Sequence, residues 1–184
     1  IFEVAIPGSL SPLFTVGTIL VLTGLVGQFG SEALAGYGIG SRVEFLMIPL
    51  IFGVGTAMTA IVGANVGAKN IKRAEKVGIS GGLSAGLISA FIGVMLALFP
   101  DLWIGFFTDD PKAYLVTKQY IQIVGPFYIF QGIGLSLYFA SQGANAMKWP
   151  IIATLARFAI AGIGGSLSVY WFSFGIEGVF LSSA

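Results

Sequence analysis

Arg42 and Glu44 are the two charged side chains within an apolar, glycine-rich stretch that covers residues 33–68. Because they lie two positions apart, a helix points them to roughly opposite sides, and they cannot neutralise each other well. Tyr37, Ser41 and Glu44 follow helical spacing, which places a phenol, a hydroxyl and a carboxylate along one stripe. A carboxylate held away from water can alternate between binding a proton and binding a metal or organic cation. The stripe therefore predicts a cation-exchange site.

The same two charges also have structural interpretations. Glu44 could pair with Arg157, which a fifth span beginning at Pro150 would place about 11 Å inside its helix. Glu44 could equally lie at the outer interface, and Arg42 could extend its guanidinium to the outer head groups. Arg42 and Arg157 are therefore the candidate charge partners of Glu44.

A second polar face lies in the apolar run between Lys118 and Lys148. Its side chains recur at spacings of seven, four and three residues, so they share one face of a helix: Gln131, Tyr138, Gln142 and Asn145. Such a face can bond to neighbouring helices or line a cavity. The candidate lining residues of a substrate cavity are Tyr37, Ser41, Gln131, Tyr138 and Gln142.

The composition is that of an integral membrane protein. The 184 residues are 56% hydrophobic and 9% charged, whereas a typical soluble domain is about a quarter charged. The formal net charge of +1 gives no indication of nucleic-acid binding. The absence of His and Cys excludes imidazole and thiolate ligands, disulfides and a cysteine nucleophile. No phosphate-binding loop or catalytic triad pattern is present, so we expect no enzyme activity and no cofactor, and the sequence leaves a metal site open.

Charges and loops divide the chain into helical segments long enough to cross about 30 Å of hydrocarbon. The predicted spans are residues 4–29, 34–67, 77–100, 113–147 and 150–172, and a sixth starts at 177. We expect the chain to be part of a longer product whose last span is cut short. Proline can kink a helix, and Pro49 is the best candidate for a hinge, although it could also serve helix shape alone.

Basic residues between the spans predict the orientation. Four lie between spans two and three, namely Lys69, Lys72, Arg73 and Lys76, and Lys148 lies between spans four and five. The positive-inside rule places both connections, and the start of the chain, in the cytoplasm. The opposite connections carry mainly acidic residues, with Lys112 as the exception. We therefore expect a multi-pass protein of the inner (plasma) membrane that contacts membrane lipids.

Two segments resemble a known transporter family. The run LAGYGIGSRVEFLMIPLIFGVGTAMTAIVGANVGAKNIKRAEKV is similar to the second helix of a lobe in the multidrug and toxic compound extrusion (MATE) family. The run FFTDDPKAYLVTKQYIQIVGPFYIFQGIGLSLYFASQGANAMKWP is similar to the fourth helix of that lobe and its flanks. Together they cover about half of the chain, in the expected order and spacing.

The resemblance implies an all-α polytopic bundle with twelve helices in two lobes. This chain would be the C-terminal six-helix lobe, residues 1–184, with its last helix truncated, and the N-terminal lobe of the same protein would be its partner. The implied activity is export of amphipathic organic cations, drugs and toxic compounds, driven by a Na⁺ or H⁺ gradient through alternating access. In part of the family an acidic residue of this helix takes part in coupling, and Glu44 in SRVEF matches that position.

Two alternatives remain beside the antiporter. A lipid-linked oligosaccharide flippase of the same superfamily would need a large cationic cavity, for which the spans offer Arg42 and Arg157. A membrane assembly protein without transport activity would use its buried charges for structure alone.

Overall fold

The computed structural model describes the backbone of residues 2–171 and 175–184, and the side chains of these ranges from residue 11 onward. The described chain is helical and contains no β-strand. Its helices are α1 Phe2–Gly27, α2 Ser31–Gly67, α3 Ile71–Leu98, α4 Asp101–Ile104, α5 Pro111–Val124, α6 Tyr128–Gly143, α7 Lys148–Ala159, α8 Gly165–Tyr170 and α9 Gly175–Ser183. A 3₁₀ turn at Gly125–Phe127 joins α5 to α6, and a π-helical segment at Ile160–Gly164 joins α7 to α8.

Four helical segments are long and apolar enough to cross a membrane within the described residues. They are Ser31–Gly67, Ile71–Leu98, Pro111–Gly143 and Lys148–Tyr170, and a shorter apolar segment covers Ser11–Gly27. The all-α polytopic fold expected from the sequence is confirmed. The predicted end of the fifth span at residue 172 lies outside the described residues.

The α3 helix begins six residues before the predicted boundary at residue 77. The Asn70 side chain accepts a hydrogen bond from the Arg73 backbone N–H (3.3 Å) and so satisfies one of the free donors of the first turn. Lys72 and Lys76 therefore lie on the first turns of the helix and not in the connection. The prediction concerns the apolar span alone, and a helix can extend past such a span into the head-group region.

The α-helical winding changes at Pro126 but not at Pro49, whose role as a hinge stays a prediction. The α2 helix is continuous through Pro49, whereas Pro126 lies within the 3₁₀ turn between α5 and α6. Proline removes a backbone donor in both places, and neighbouring groups determine whether the helix changes its winding.

The α2, α3, α5 and α6 helices form one packed group, while α7 packs mainly against α1 and α8 packs against α9. Glycines let the helices of the first group approach closely. A Cβ added to Gly86 of α3 would lie 2.6 Å from Cγ1 of Ile133 in α6, and one added to Gly132 of α6 would meet the Ser89 hydroxyl. Small residues at helix contacts are the usual way to pack helices within a bilayer.

The packing places the connections at two ends of the bundle. One end, which we call the lysine end, holds the α2–α3 and α6–α7 connections with Lys69 and Lys148. The other, which we call the acidic end, holds the α1–α2 connection and the segment from α3 to α5. At the acidic end Lys112 pairs with Glu32 (3.3 Å), and the Tyr114 hydroxyl bonds to Asp101.

Candidate functional site

Glu44 accepts two hydrogen bonds from side chains of other helices. The Tyr120 hydroxyl of α5 donates to Oε1 (3.0 Å), and Nε2 of Gln131 in α6 donates to Oε2 (3.3 Å). Glu44 itself is half-buried and lies thirteen residues into α2, about 20 Å along the helix from its acidic end. Three helices therefore converge on one carboxylate inside a membrane-spanning segment.

Gly40 makes the approach of Tyr120 to Glu44 possible. It lies one helical turn before Glu44, and a Cβ at this position would overlap the Tyr120 ring. With hydrogen in place of a side chain, the phenol ring packs closely against α2 at Gly40, and its hydroxyl reaches the carboxylate one turn further along. Gly40 and Glu44 thus act together: one provides the space and the other the acceptor.

Three aromatic rings pack beside the carboxylate. Tyr37 and Tyr120 meet edge to face with centroids 5.4 Å apart, and Phe180 of α9 lies edge-on to Tyr120 (5.1 Å) and stacked on Tyr37 (6.3 Å). Each ring is at least nine-tenths buried. These distances are typical of attractive aromatic pairs. The cluster rigidifies the donor Tyr120 and brings the last described helix to the site.

Tyr128 adds a fourth aromatic ring, and the third phenol, near the same carboxylate. It is 1% exposed, and its buried hydroxyl lies close to the Tyr120 hydroxyl without meeting the geometry of a hydrogen bond. This hydroxyl therefore keeps bonding capacity for a ligand or a water molecule that reaches the site.

The two candidate charge partners do not form an ion pair with Glu44. Within the described part of the chain the ion pair is Lys112–Glu32. The Arg42 guanidinium lies 5.5 Å from the centroid of the Phe107 ring, near the acidic end, where it makes a cation–π contact. Arg157 is exposed and forms no ion pair within the described residues. Glu44 is therefore balanced by hydrogen-bond donors and not by a direct cation.

A family model described as MatE matches residues 7–167 of the chain. The chain belongs to the MatE family. The resemblance in its second and fourth spans is thereby confirmed. The MatE proteins are transporters, so the family assignment also fits the apolar helices of a multi-pass membrane protein.

Curated relatives carry multidrug-resistance names. The "Probable multidrug resistance protein NorM" of Thermotoga maritima is 29% identical over 174 residues, 92% of this chain and 36% of that protein. The "Probable multidrug resistance protein YpnP" of Bacillus subtilis is 25% identical over 158 residues, 86% of this chain and 36% of that protein. The chain thus spans little more than a third of the length of these relatives.

Solved structures share the fold of this MatE chain. A MOP superfamily transporter from Pyrococcus furiosus superposes with a TM-score of 0.87 at 15% identity, over 98% of this chain and 40% of that one. The crystal structure of a MATE protein in complex with MaL6 gives a TM-score of 0.85 at 21% identity, over 99% and 42%. Coverage of about two-fifths is consistent with one lobe of a MATE transporter.

The structure distributes the other predicted residues of the MatE chain over two regions. Tyr37 and Gln131 lie at the Glu44 site. The Ser41 hydroxyl instead bonds to the backbone carbonyl of Gly38 in its own helix (3.2 Å). Tyr138 lies towards the lysine end, where it lines a separate cavity. Gln142 is half-buried near the same end of α6.

Sequence reasoning missed Tyr120 and Phe180 as members of the site. Tyr120 precedes Gln131 by eleven residues, about three helical turns, so it shares the polar face of the fourth span. That spacing is a usable signal for Tyr120. Phe180 carries no comparable signal, because an aromatic residue in an apolar helix usually faces lipid or core.

Proposed function

We propose that this chain is the C-terminal lobe of a cation-coupled antiporter that exports organic cations, drugs and toxic compounds by alternating access. The observation that carries the proposal is Glu44, a carboxylate within a membrane span that receives two hydrogen bonds and has no cationic side chain paired with it among the described residues. Ionisable residues within the membrane are costly and usually serve ion or substrate pathways.

The chemistry of the site suits an exchangeable cation. Both donors direct N–H or O–H groups at the carboxylate oxygens, and such hydrogen bonds to a charged acceptor are the stronger ones. A proton arriving at either oxygen replaces one of these hydrogen bonds, whereas Na⁺ would bring the Gln131 carbonyl and the phenol oxygens into its coordination shell. The coupling ion, Na⁺ or H⁺, is thus bound by oxygen ligands, and no further cofactor is required.

The aromatic cluster supports organic cations as the substrate class. Faces of Tyr37, Tyr120 and Phe180 attract an organic cation through their ring quadrupoles when helix movement exposes them. In the described conformation these rings pack on each other, so substrate and ring–ring contacts compete. The N-terminal lobe would supply the opposite wall of the cavity.

The lysine end would face the cytoplasm in this proposal. Lys69, Lys72, Arg73, Lys76 and Lys148 cluster there, and the positive-inside rule assigns such an end to the cytoplasmic side. The start of the chain would then be cytoplasmic, in the inner (plasma) membrane. This orientation is tested with single-cysteine variants at Lys69 and Asp109, which are treated in intact cells with a thiol reagent that cannot cross the membrane. We expect the reagent to label residue 109 and not residue 69, and labelling of residue 69 would overturn the orientation.

The proposal is tested with the full-length protein in everted membrane vesicles. Ethidium uptake is measured under an imposed Na⁺ or H⁺ gradient for the wild type, Glu44→Gln and Glu32→Gln. We expect Glu44→Gln to abolish gradient-driven uptake while Glu32→Gln, which loses an exposed surface pair, retains it. Unchanged uptake and unchanged ion dependence in Glu44→Gln would show that the assigned role is wrong.

The positions of the two arginines give the flippase alternative less support than the antiporter. A site for a pyrophosphate lipid needs several cations around one cavity. Arg42 lies against Phe107 towards the acidic end, and Arg157 lies in α7, which packs mainly against α1. Rescue of a cell-envelope defect without drug export would nevertheless favour the flippase.

A further inference from the structure

A second cavity, away from Glu44, lies at the lysine end of the bundle. It has a volume of about 730 Å³ and is lined mainly by apolar side chains of α2, α3, α6 and α7. Because α7 packs mainly against α1, a gap remains between the first turns of α7 and the helices α2, α3 and α6. A cavity of this volume is within the range of small-molecule sites.

Two glycines keep the cavity open. Gly78 of α3 and Gly134 of α6 both line it, and a Cβ added to either would meet no atom within 4 Å. Glycine in a helix interior is less favourable than alanine by about 1 kcal/mol. At the helix contacts, a side chain in place of glycine would collide with a neighbouring helix. At Gly78 and Gly134 an added Cβ meets no such neighbour, and a larger side chain would instead fill part of the cavity.

Charges of both signs lie around the cavity. Glu75 is part of its lining, is exposed, and forms no ion pair within the described residues. Lys148 directly precedes the lining residue Trp149, and Lys72 lies one turn before Glu75 on the same side of α3. A carboxylate in the lining, with lysines close in sequence to lining residues, matches a ligand that carries both a cation and an anion.

We propose that the cavity binds a phospholipid with a primary ammonium head group, of the phosphatidylethanolamine class. Its ammonium group would bond to Glu75, its phosphate would lie near Lys72 and Lys148, and one acyl chain would occupy the space beside Gly78 and Gly134. The cavity lies at the ends of four helices, the depth at which head groups meet hydrocarbon. A purely anionic lipid would leave Glu75 without a partner, and a purely cationic ligand would leave the lysines without one.

The proposal is tested by native mass spectrometry of the full-length protein with added phospholipids of identical acyl chains. We expect one retained phosphatidylethanolamine adduct that is preferred over phosphatidylcholine, whose ammonium has no N–H to donate, and over phosphatidylglycerol, which has no ammonium. Loss of one charge-assisted hydrogen bond weakens binding by about tenfold, so Glu75→Gln should weaken this adduct by that factor.

Cavity-filling variants give a second, independent readout. Gly134→Leu and Gly78→Leu should displace the adduct by occupying the acyl-chain space. The matched controls are Gly53→Leu, where a Cβ also meets open space but outside the cavity, and Asp109→Asn, which removes an exposed carboxylate at the acidic end. Both controls should retain the adduct at the wild-type level.

Equal retention of the three lipids, or an adduct that is unaffected by Glu75→Gln and by both leucine variants, would overturn the proposal. Tetraphenylphosphonium binding that depends on Glu75, without a selective phosphatidylethanolamine adduct, would assign the cavity to an organic cation and would also overturn it. The measurement involves no transport, so its outcome is independent of the role proposed for Glu44.

Discussion

The Tyr120 hydroxyl donates a 3.0 Å hydrogen bond to Glu44 from a helix that lies 76 residues further along the chain. This bond fixes the position of the carboxylate within the membrane span, since Gln131 holds only the second oxygen, at 3.3 Å. The donor is itself fixed by Gly40 beneath its ring and by Phe180 at its edge. The site is therefore a property of the assembled bundle and not of α2 alone.

Tyr120→Phe removes this bond and keeps the ring. We expect gradient-driven transport to fall by about ten- to a hundredfold, because a hydrogen bond to a charged group contributes about 1.5–3 kcal/mol. The measurement is the rate of ethidium uptake into everted vesicles as a function of Na⁺ and H⁺ gradients. Tyr114→Phe, which removes a phenol hydroxyl at the acidic end, is the control; an equal loss in both variants would contradict a specific role for Tyr120.

Gln131→Leu removes the second donor to Glu44 and should reduce coupled transport less than Tyr120→Phe does, because its bond is longer. Gln142→Leu changes the same residue type eleven positions along α6, away from the carboxylate. Uptake assays on both variants separate a site effect from a general effect of an apolar residue. If Gln142→Leu is the more damaging change, the polar face of α6 acts elsewhere than at Glu44.

Gly40→Ala introduces a methyl group into the Tyr120 ring. Overpacking of this kind costs about 1–3 kcal/mol, so we expect a lower melting temperature together with reduced transport. Gly38→Ala is the control, because a Cβ at Gly38 meets no atom within 4 Å. Thermal unfolding in detergent provides the measurement, and equal melting temperatures of the two variants would contradict the close approach of α2 and α5.

Thr117→Val tests the contact between α2 and α5 without touching the carboxylate. The buried Thr117 hydroxyl bonds to the backbone carbonyl of Gly36 (3.0 Å) and to that of Ala113 (2.8 Å). Interhelical hydrogen bonds in membranes contribute about 0.6 kcal/mol, up to about 1.7. We expect a small decrease in melting temperature and unchanged ion coupling. Thr56→Val, which loses hydrogen bonds only to its own helix, should decrease the melting temperature less than Thr117→Val does.

The sequence predicted the membrane fold and the candidate carboxylate better than it predicted the donors. Apolar runs and lysine-bearing connections are properties of local sequence, and Glu44 was conspicuous as a charge inside such a run. Gln131 followed from its shared face with other polar residues. Tyr120 and Phe180 depend on how helices distant in sequence pack together, and no single-helix periodicity carries that information.

The break at Pro126 illustrates the same limit. Pro49 and Pro126 both lie in apolar runs, and sequence position alone favoured Pro49 as a hinge. The winding of a helix at a proline depends on whether neighbouring groups satisfy the freed carbonyl. At Pro126 the backbone of Gly125 also lies against that of Gly93 in α3, a contact that only the tertiary structure specifies.

The 3₁₀ turn at Gly125–Phe127 separates the two donors of Glu44. Tyr120 belongs to α5 and Gln131 to α6, so the distance between their polar groups depends on the angle at which these segments join. The carboxylate thus bridges the two helical segments that this turn joins. By thermodynamic linkage, any change at the turn that separates the donors alters the affinity of Glu44 for a cation, and a bound cation biases the turn to the same extent.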